Sequence, residues 1–297
     1  MCLRLRNHQY GQLVTAPAPA AADWRRDSSF TTPERIPWSQ LGPEFSITWG
    51  RADPQNPQPE HLEIVGPSGS GKTHLEATML QQRAKVRDTP SVLVATKPAD
   101  ATILSLGWPV VNDWKGVTEN RQVIYWPQTH LIGKPRRAHH EVRVRDLLDR
   151  LWQPEANTIV AFDEIAYAEG LSDDLKKIIQ MYWREGRSQG ITILAMKQRP
   201  QGIQRDMHSE TMWTAAFAPK DRADLERFAE LFGSKRDWMP VFDSLDPDRH
   251  EFILRHSRTR QAVISWVDVP LKPPEGRQKR RPVAELLGFR TREDEDA

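Results

Sequence analysis

Eight consecutive residues, Gly66-Pro67-Ser68-Gly69-Ser70-Gly71-Lys72-Thr73, constrain this chain more than any others. They fit the pattern G-x-x-x-x-G-K-[ST], and their flanks give that pattern its meaning. An apolar run, His61–Val65, leads into the loop, and a helical stretch follows from 71 to about 86. Glycines let successive backbone N–H groups turn inward around phosphate oxygens, and the helix start adds the positive end of its dipole. Lys72 is then placed to reach the β- and γ-phosphates, and Thr73 to hold Mg²⁺ through its hydroxyl. The expectation is a strand, loop and helix that grip the phosphates of ATP with Gly66, Pro67, Ser68, Gly69, Ser70, Gly71, Lys72, Thr73 and His74.

The rest of the chain continues the alternation. Further apolar runs are SVLVAT (91–96), VIYW (123–126), TIVAF (158–162), ITILAM (191–196) and a stretch near Thr211–Phe217. Most are apolar throughout, as strands covered on both faces must be. Between them lie helical periodicities: Val144, Leu147, Leu148, Leu151 and Trp152 share one face, and Leu175, Ile178, Ile179, Tyr182 and Trp183 share another. Ser172 before Asp173 and Asp174 marks a helix start, and a helix carrying Leu225, Phe228, Ala229 and Phe232 stops at Gly233. Strands alternating with helices predict an α/β fold with a mainly parallel sheet flanked by helices. After Gly233, EFILRH (251–256) and QAVISWV (261–267) predict a hairpin. The expected division is an extended, proline-rich arm over 1–43, a core over 44–233, and an extension with hairpin and charged tail over 234–297.

The strand TIVAF delivers Asp163 and Glu164 at its carboxyl end, where ligands bind in open α/β sheets. With the glycine loop as Walker A, this is the Walker B position. Asp163 is expected to serve Mg²⁺, and Glu164 to orient or deprotonate the attacking water. A glutamate beside the aspartate favours hydrolysis of ATP over phosphorylation of a small molecule.

Downstream, WREGRSQGITILAMKQRP (183–200) places a basic helix end and Gly-Ile before an apolar strand closed by Gln-Arg-Pro. With the Walker motifs, this resembles the FtsK/HerA superfamily of DNA-pumping P-loop ATPases over about 62–231. The resemblance implies an additional-strand, RecA-like sheet and a homo-oligomeric ring, a hexamer, that moves or packages double-stranded DNA. It implies that Gln198 contacts the γ-phosphate and that Arg187 acts at a neighbouring subunit's nucleotide, with Arg184 the competing finger. It also implies sequence-independent contact with DNA phosphates and an unidentified docking protein. Lys197 stands where the family usually has a small hydroxyl residue.

Two other classes stay open on the residues alone. One is a nucleotide-dependent switch or scaffold; the other is a single-strand helicase or small-molecule P-loop kinase. A single cysteine, Cys2, excludes an internal disulfide and any cysteine-based zinc cluster. No apolar run reaches the ~18 residues of a membrane span, so the expectation is a cytoplasmic protein that is not integral to a membrane. The net charge of +2 says little about partners, but 272–281 (KPPEGRQKRR) is a local basic run. His130, His139 and His140 read as surface residues, and Trp152, Trp183 and Trp213 as packed in or beside the core.

Overall fold

The computed structural model describes residues 30–49, 59–87, 89–97, 100–199 and 209–271. Met1–Thr32 and Pro33–Ala297 form separate units; only residues 30–32 of the first are described, and the elements below belong to the second. The basic run at 272–281 lies outside the described residues.

Ten strands form one sheet: β1 (Glu34–Arg35), β2 (His61–Val65), β3 (Ser91–Val94), β4 (Val110–Val111), β5 (Gln122–Tyr125), β6 (Ile159–Phe162), β7 (Thr192–Lys197), β8 (Thr211–Phe217), β9 (Phe252–His256) and β10 (Ala262–Ser265). Their order is β1-β10-β9-β8-β2-β7-β6-β3-β5-β4. From β8 to β4 every pairing is parallel, while β9 pairs antiparallel with both β8 and β10. The hairpin expected after Gly233 is therefore present, and it widens the sheet. Strand β7 lies between β2, which feeds the glycine loop, and β6, which ends at Asp163. That interposed strand is the additional strand expected of the fold class.

Side-chain alternation along the strands explains the two helical layers. Leu62, Ile64, Leu93, Ile159, Ala161, Leu194 and Met196 join one buried cluster. It is covered by α1 (Trp38–Thr48), α2 (Lys72–Arg87) and α3 (Ala101–Leu104). Val92, Val94, Val160, Phe162, Ile193 and Ala195 point the other way, beneath α5 (Gly133–Leu151), α6 (Ile165–Glu169) and α7 (Asp173–Glu185). The short α4 (Trp114–Thr118) precedes β5. A third cluster packs Phe228, Phe232, Trp238 and Phe242, from α8 (Arg222–Phe232) and α9 (Lys235–Asp243), on Ala216, Ile253 and Ile264. Each fully buried large apolar side chain contributes about 1.5–3 kcal/mol, so both faces need their cover. Trp183 is wholly buried, and Trp152 and Trp213 pack at the edges of the clusters.

The boundary expected between residues 43 and 44 falls inside α1. Trp38 is fully buried: its indole N–H donates to Gln82 at 2.9 Å, and its ring meets Phe45 and Phe252. Just before it, β1 pairs with β10, and Arg35 donates to the Ser244 carbonyl at 2.8 Å and forms an ion pair with Glu251.

Candidate nucleotide site

Parallel strands leave their carboxyl ends on one edge, and β2, β6 and β7 are adjacent, so the loops after them converge. After β2 the chain turns sharply. Gly66 must be small because a Cβ there would lie 2.6 Å from the Phe217 Cβ. Gly71 has φ +98°, in the region that favours glycine, with His250 packed against it. The turn is tied by Ser70 N–H to the Pro67 carbonyl at 3.3 Å, and α2 starts at Lys72. Lys72 lies across its own loop, with Nζ donating to the Pro67 carbonyl at 2.8 Å. Thr73 stands in the first turn of α2. His74 reaches away from the glycines, toward the Val269 carbonyl at 3.5 Å.

Beyond β6, Asp163 is nearly buried, and its Oδ1 accepts from the Thr96 amide at 3.0 Å and the Thr96 hydroxyl at 2.8 Å. Glu164 occupies the cap position of α6 without capping it, which leaves its carboxylate for other partners. Its Oε1 accepts from Gln198 Nε2 at 2.8 Å, and Lys97 Nζ stands 3.8 Å from Oε2. Gln198 follows the last residue of β7, so alternation turns it from the side taken by Lys197. The Lys197 side chain instead enters the layer beneath α7, 3.4 Å from Glu63 and 5.5 Å from the Trp183 ring centre. The unusual residue before the glutamine therefore lies outside the site.

The charges around the loop explain the titration behaviour. Burial pulls Lys72 down to about 8; Lys97 and then Lys220 pull the same way, and Glu164 opposes them. Lys220 also donates to the Ser68 carbonyl at 3.2 Å. Three ammonium groups about one loop make a place where a polyanion gains. Burial pushes Asp163 up to about 6, against the two Thr96 bonds and the Lys97 charge. Beside it, Glu76 of α2 is wholly buried, and neither carboxylate oxygen has a hydrogen-bond partner. Burial, then the charges of Asp163 and Asp100, hold its carboxyl well above the usual range. The Ser70 hydroxyl is likewise buried without a partner. These orphaned oxygens, together with the Thr73 hydroxyl and Asp163, suit a hard divalent cation that takes its other ligands from phosphate and water. Among the described residues no cluster of three His, Cys, Asp or Glu side chains could hold a metal by itself.

The structure thus brings together Lys72, Thr73, Asp163, Glu164 and Gln198, and adds Lys97, Lys220, Thr96 and Glu76, which the motifs did not single out. Arg187 does not join them. It sits in a 3₁₀ turn (Gly186–Gln189) before β7, at the amino end of the strands, where it pairs with Glu210 at 3.7 Å. A five-residue strand such as β2 puts that end about 16 Å from the glycine loop. Arg184 is exposed on the last turn of α7. His140, expected at the surface, is buried: it lies on the inner face of α5, where Nδ1 meets the Tyr167 hydroxyl at 2.9 Å.

No protein-family model matches the chain, and no curated protein matches its sequence. Solved structures do match in fold. The genome packaging NTPase B204 from Sulfolobus turreted icosahedral virus 2, in complex with AMPPCP, aligns with TM-score 0.54 at 10% identity, covering 71% of this chain and 98% of that one. Its complex with ATP-gammaS gives 0.51 at 10% identity with the same coverage. B204, the DNA-packaging ATPase from Sulfolobus turreted icosahedral virus, gives 0.51 at 13% identity, again covering 71% and 98%. The chain shares its α/β fold with these packaging NTPases. That fold brings the Walker loops and the β7 glutamine to one edge of the sheet. Among the described residues, no helix is long and apolar enough to cross a membrane.

Proposed function

We propose that this chain hydrolyses ATP and uses the energy to move or package double-stranded DNA, as a subunit of a homo-oligomeric ring, a hexamer. The observation that carries the hydrolytic part is the Gln198–Glu164 hydrogen bond at 2.8 Å, beside Lys72 and Asp163. It supports the reading of Glu164 as an oriented carboxylate that acts on the water attacking the γ-phosphate. Support for the DNA part comes from the fold shared with the packaging NTPases.

Each residue then has a task. The loop amides from Gly66 to Thr73 cradle the phosphates, and Lys72 sets its charge against the β- and γ-oxygens. Thr73 and Asp163 would hold Mg²⁺, which would supply positive charge against the phosphates when bound. Glu164 takes the proton of the attacking water or orients it, and Gln198 fixes the direction of that carboxylate at the edge of the γ-phosphate. Arg187 acts across a subunit boundary. Contact with DNA is to phosphates, since a motor must pass every sequence, and a separate docking protein fixes the ring in place.

The test is hydrolysis measured without nucleic acid, with single-stranded DNA and with duplex DNA. Strong stimulation by the duplex is expected. Stimulation by single strands alone would point instead to a helicase, and indifference to both would leave a nucleotide-dependent switch.

A further inference from the structure

One end of α5 carries more positive charge than the nucleotide site accounts for. Its first three turns hold Lys134, Arg136, Arg137 and Arg143, with His139 beside them. None of the four strong cations has a carboxylate partner among the described residues. The acid within this stretch, Glu141, is engaged at 3.1 Å by Arg145, which also reaches Asp174 at 3.5 Å. Lys134, Arg137 and Arg143 are exposed, and Ile132, at the start of the helix, is 82% exposed. Unpaired cations crowded on one helix end repel one another, and such a cluster is stabilised when a polyanion lies against it. From Lys134 to Arg143 the helix rises about 14 Å through about two and a half turns, so these cations project from more than one side of it. Cations spaced like this can meet several phosphates at once.

The same helix end touches the chemistry. Helix α5 runs back from the carboxyl edge of β5, so its first turns stand at the edge that carries the Walker loops. Arg136 Nη2 donates to the Thr96 carbonyl at 3.5 Å, and the amide and hydroxyl of Thr96 both hold Asp163 Oδ1. Arg137 anchors to the Gly170 carbonyl, at the end of α6, the helix that Glu164 opens.

We propose that the amino-terminal half of α5 is the surface that binds the phosphate backbone of duplex DNA, and that Arg136 passes its occupancy to Asp163 through Thr96. This rests on the DNA-motor reading above and gives it a contact surface and a route of coupling. Lys134, Arg137 and Arg143 are the contacts, and Arg136 is a positioning residue.

The test uses the full chain and a labelled duplex of random sequence, followed by fluorescence anisotropy from 50 to 200 mM salt. The variant Lys134→Glu/Arg137→Glu/Arg143→Glu should bind at least tenfold more weakly. The milder Lys134→Gln/Arg137→Gln, which guards against misfolding, should flatten the salt dependence by about 0.9 in log–log slope for each phosphate no longer neutralised. Arg150→Gln, at the far end of α5 and paired with Asp146 at 2.8 Å, should bind as wild type does. If wild type binds duplex and both substituted forms bind equally well, the surface is elsewhere and the proposal fails while the motor reading stands. If wild type itself ignores duplex DNA, the motor reading fails first. If the variants lose ring assembly by light scattering, the surface is a subunit contact and the proposal is overturned. Arg136→Ala should keep duplex affinity within about threefold and lose duplex stimulation of kcat, with Arg136→Lys restoring part of it. An equal loss of affinity and stimulation would make Arg136 one more contact and remove the coupling.

Discussion

Lys72 has Lys97 and Lys220 as neighbours and the Pro67 carbonyl 2.8 Å from its Nζ, and substitution should separate its charge from the base proposed at Glu164. Lys72→Ala is expected to abolish hydrolysis, because the loop loses the charge aimed at the transferred phosphate. Glu164→Gln should still bind ATP with Mg²⁺ while hydrolysis falls by about 10² or more. A Glu164→Gln chain unable to bind nucleotide, seen by calorimetry, would contradict that division of labour. The depressed ammonium gives a second prediction. Lys72 is charged below about 8 and loses its proton above it, whereas bound phosphates raise it. Affinity for an ATP analogue should therefore hold below pH 8 and fall about tenfold from pH 7 to pH 9. A flat profile from a fluorescent analogue would mean that Lys72 stays charged throughout. At this scale the motifs exposed Lys72, Thr73, Asp163 and Glu164, because each lies in a fixed order along the chain. Lys97 and Lys220 were not legible that way. Each is an ordinary lysine near the end of an apolar run, and only the pairing of β3 with β6 and of β8 with β2 brings them to the site.

Strands and helices were the most legible level, since β2, β3, β6 and β7 are short, largely apolar runs between helical stretches. What those runs concealed is the polar pair inside them. Glu63 and Lys197, on the adjacent strands β2 and β7, are both buried; they stand 3.4 Å apart, and the Thr214 hydroxyl donates to Glu63 at 3.0 Å. Read singly, Glu63 is a charge interrupting a strand and Lys197 an oddity beside a functional glutamine. Register joins them, and register is a three-dimensional fact. Breaking the pair should cost more than it contributes intact. Lys197→Ala strands a buried carboxylate and is expected to destabilise the fold by about 3–5 kcal/mol. Glu63→Leu with Lys197→Met removes both charges at similar volume and should recover most of that loss. Denaturant midpoints decide it: if the double substitution unfolds as easily as the single one, the pair is not the cause.

For the whole molecule the open question is what Arg187 reaches. Its ion pair with Glu210 and its place at the amino end of the strands keep it about a strand's length from its own glycine loop, so a role in hydrolysis requires a neighbour. A guanidinium arriving from another subunit makes hydrolysis depend on contact and lets it be ordered around a ring. Arg187→Ala subunits should then fold and bind ATP yet fail to hydrolyse it in a homogeneous ring. Lys72→Ala subunits are also inactive alone, for the opposite reason. Mixed together, they create junctions where an intact glycine loop from the first faces an intact Arg187 from the second, and some hydrolysis should return. A labelled-subunit exchange control must first establish that mixed rings form. Arg187→Ala rings that hydrolyse ATP at the wild-type rate with duplex present would eliminate Arg187, and the same mixing would then be applied to Arg184, which lies one turn earlier on the exposed end of α7.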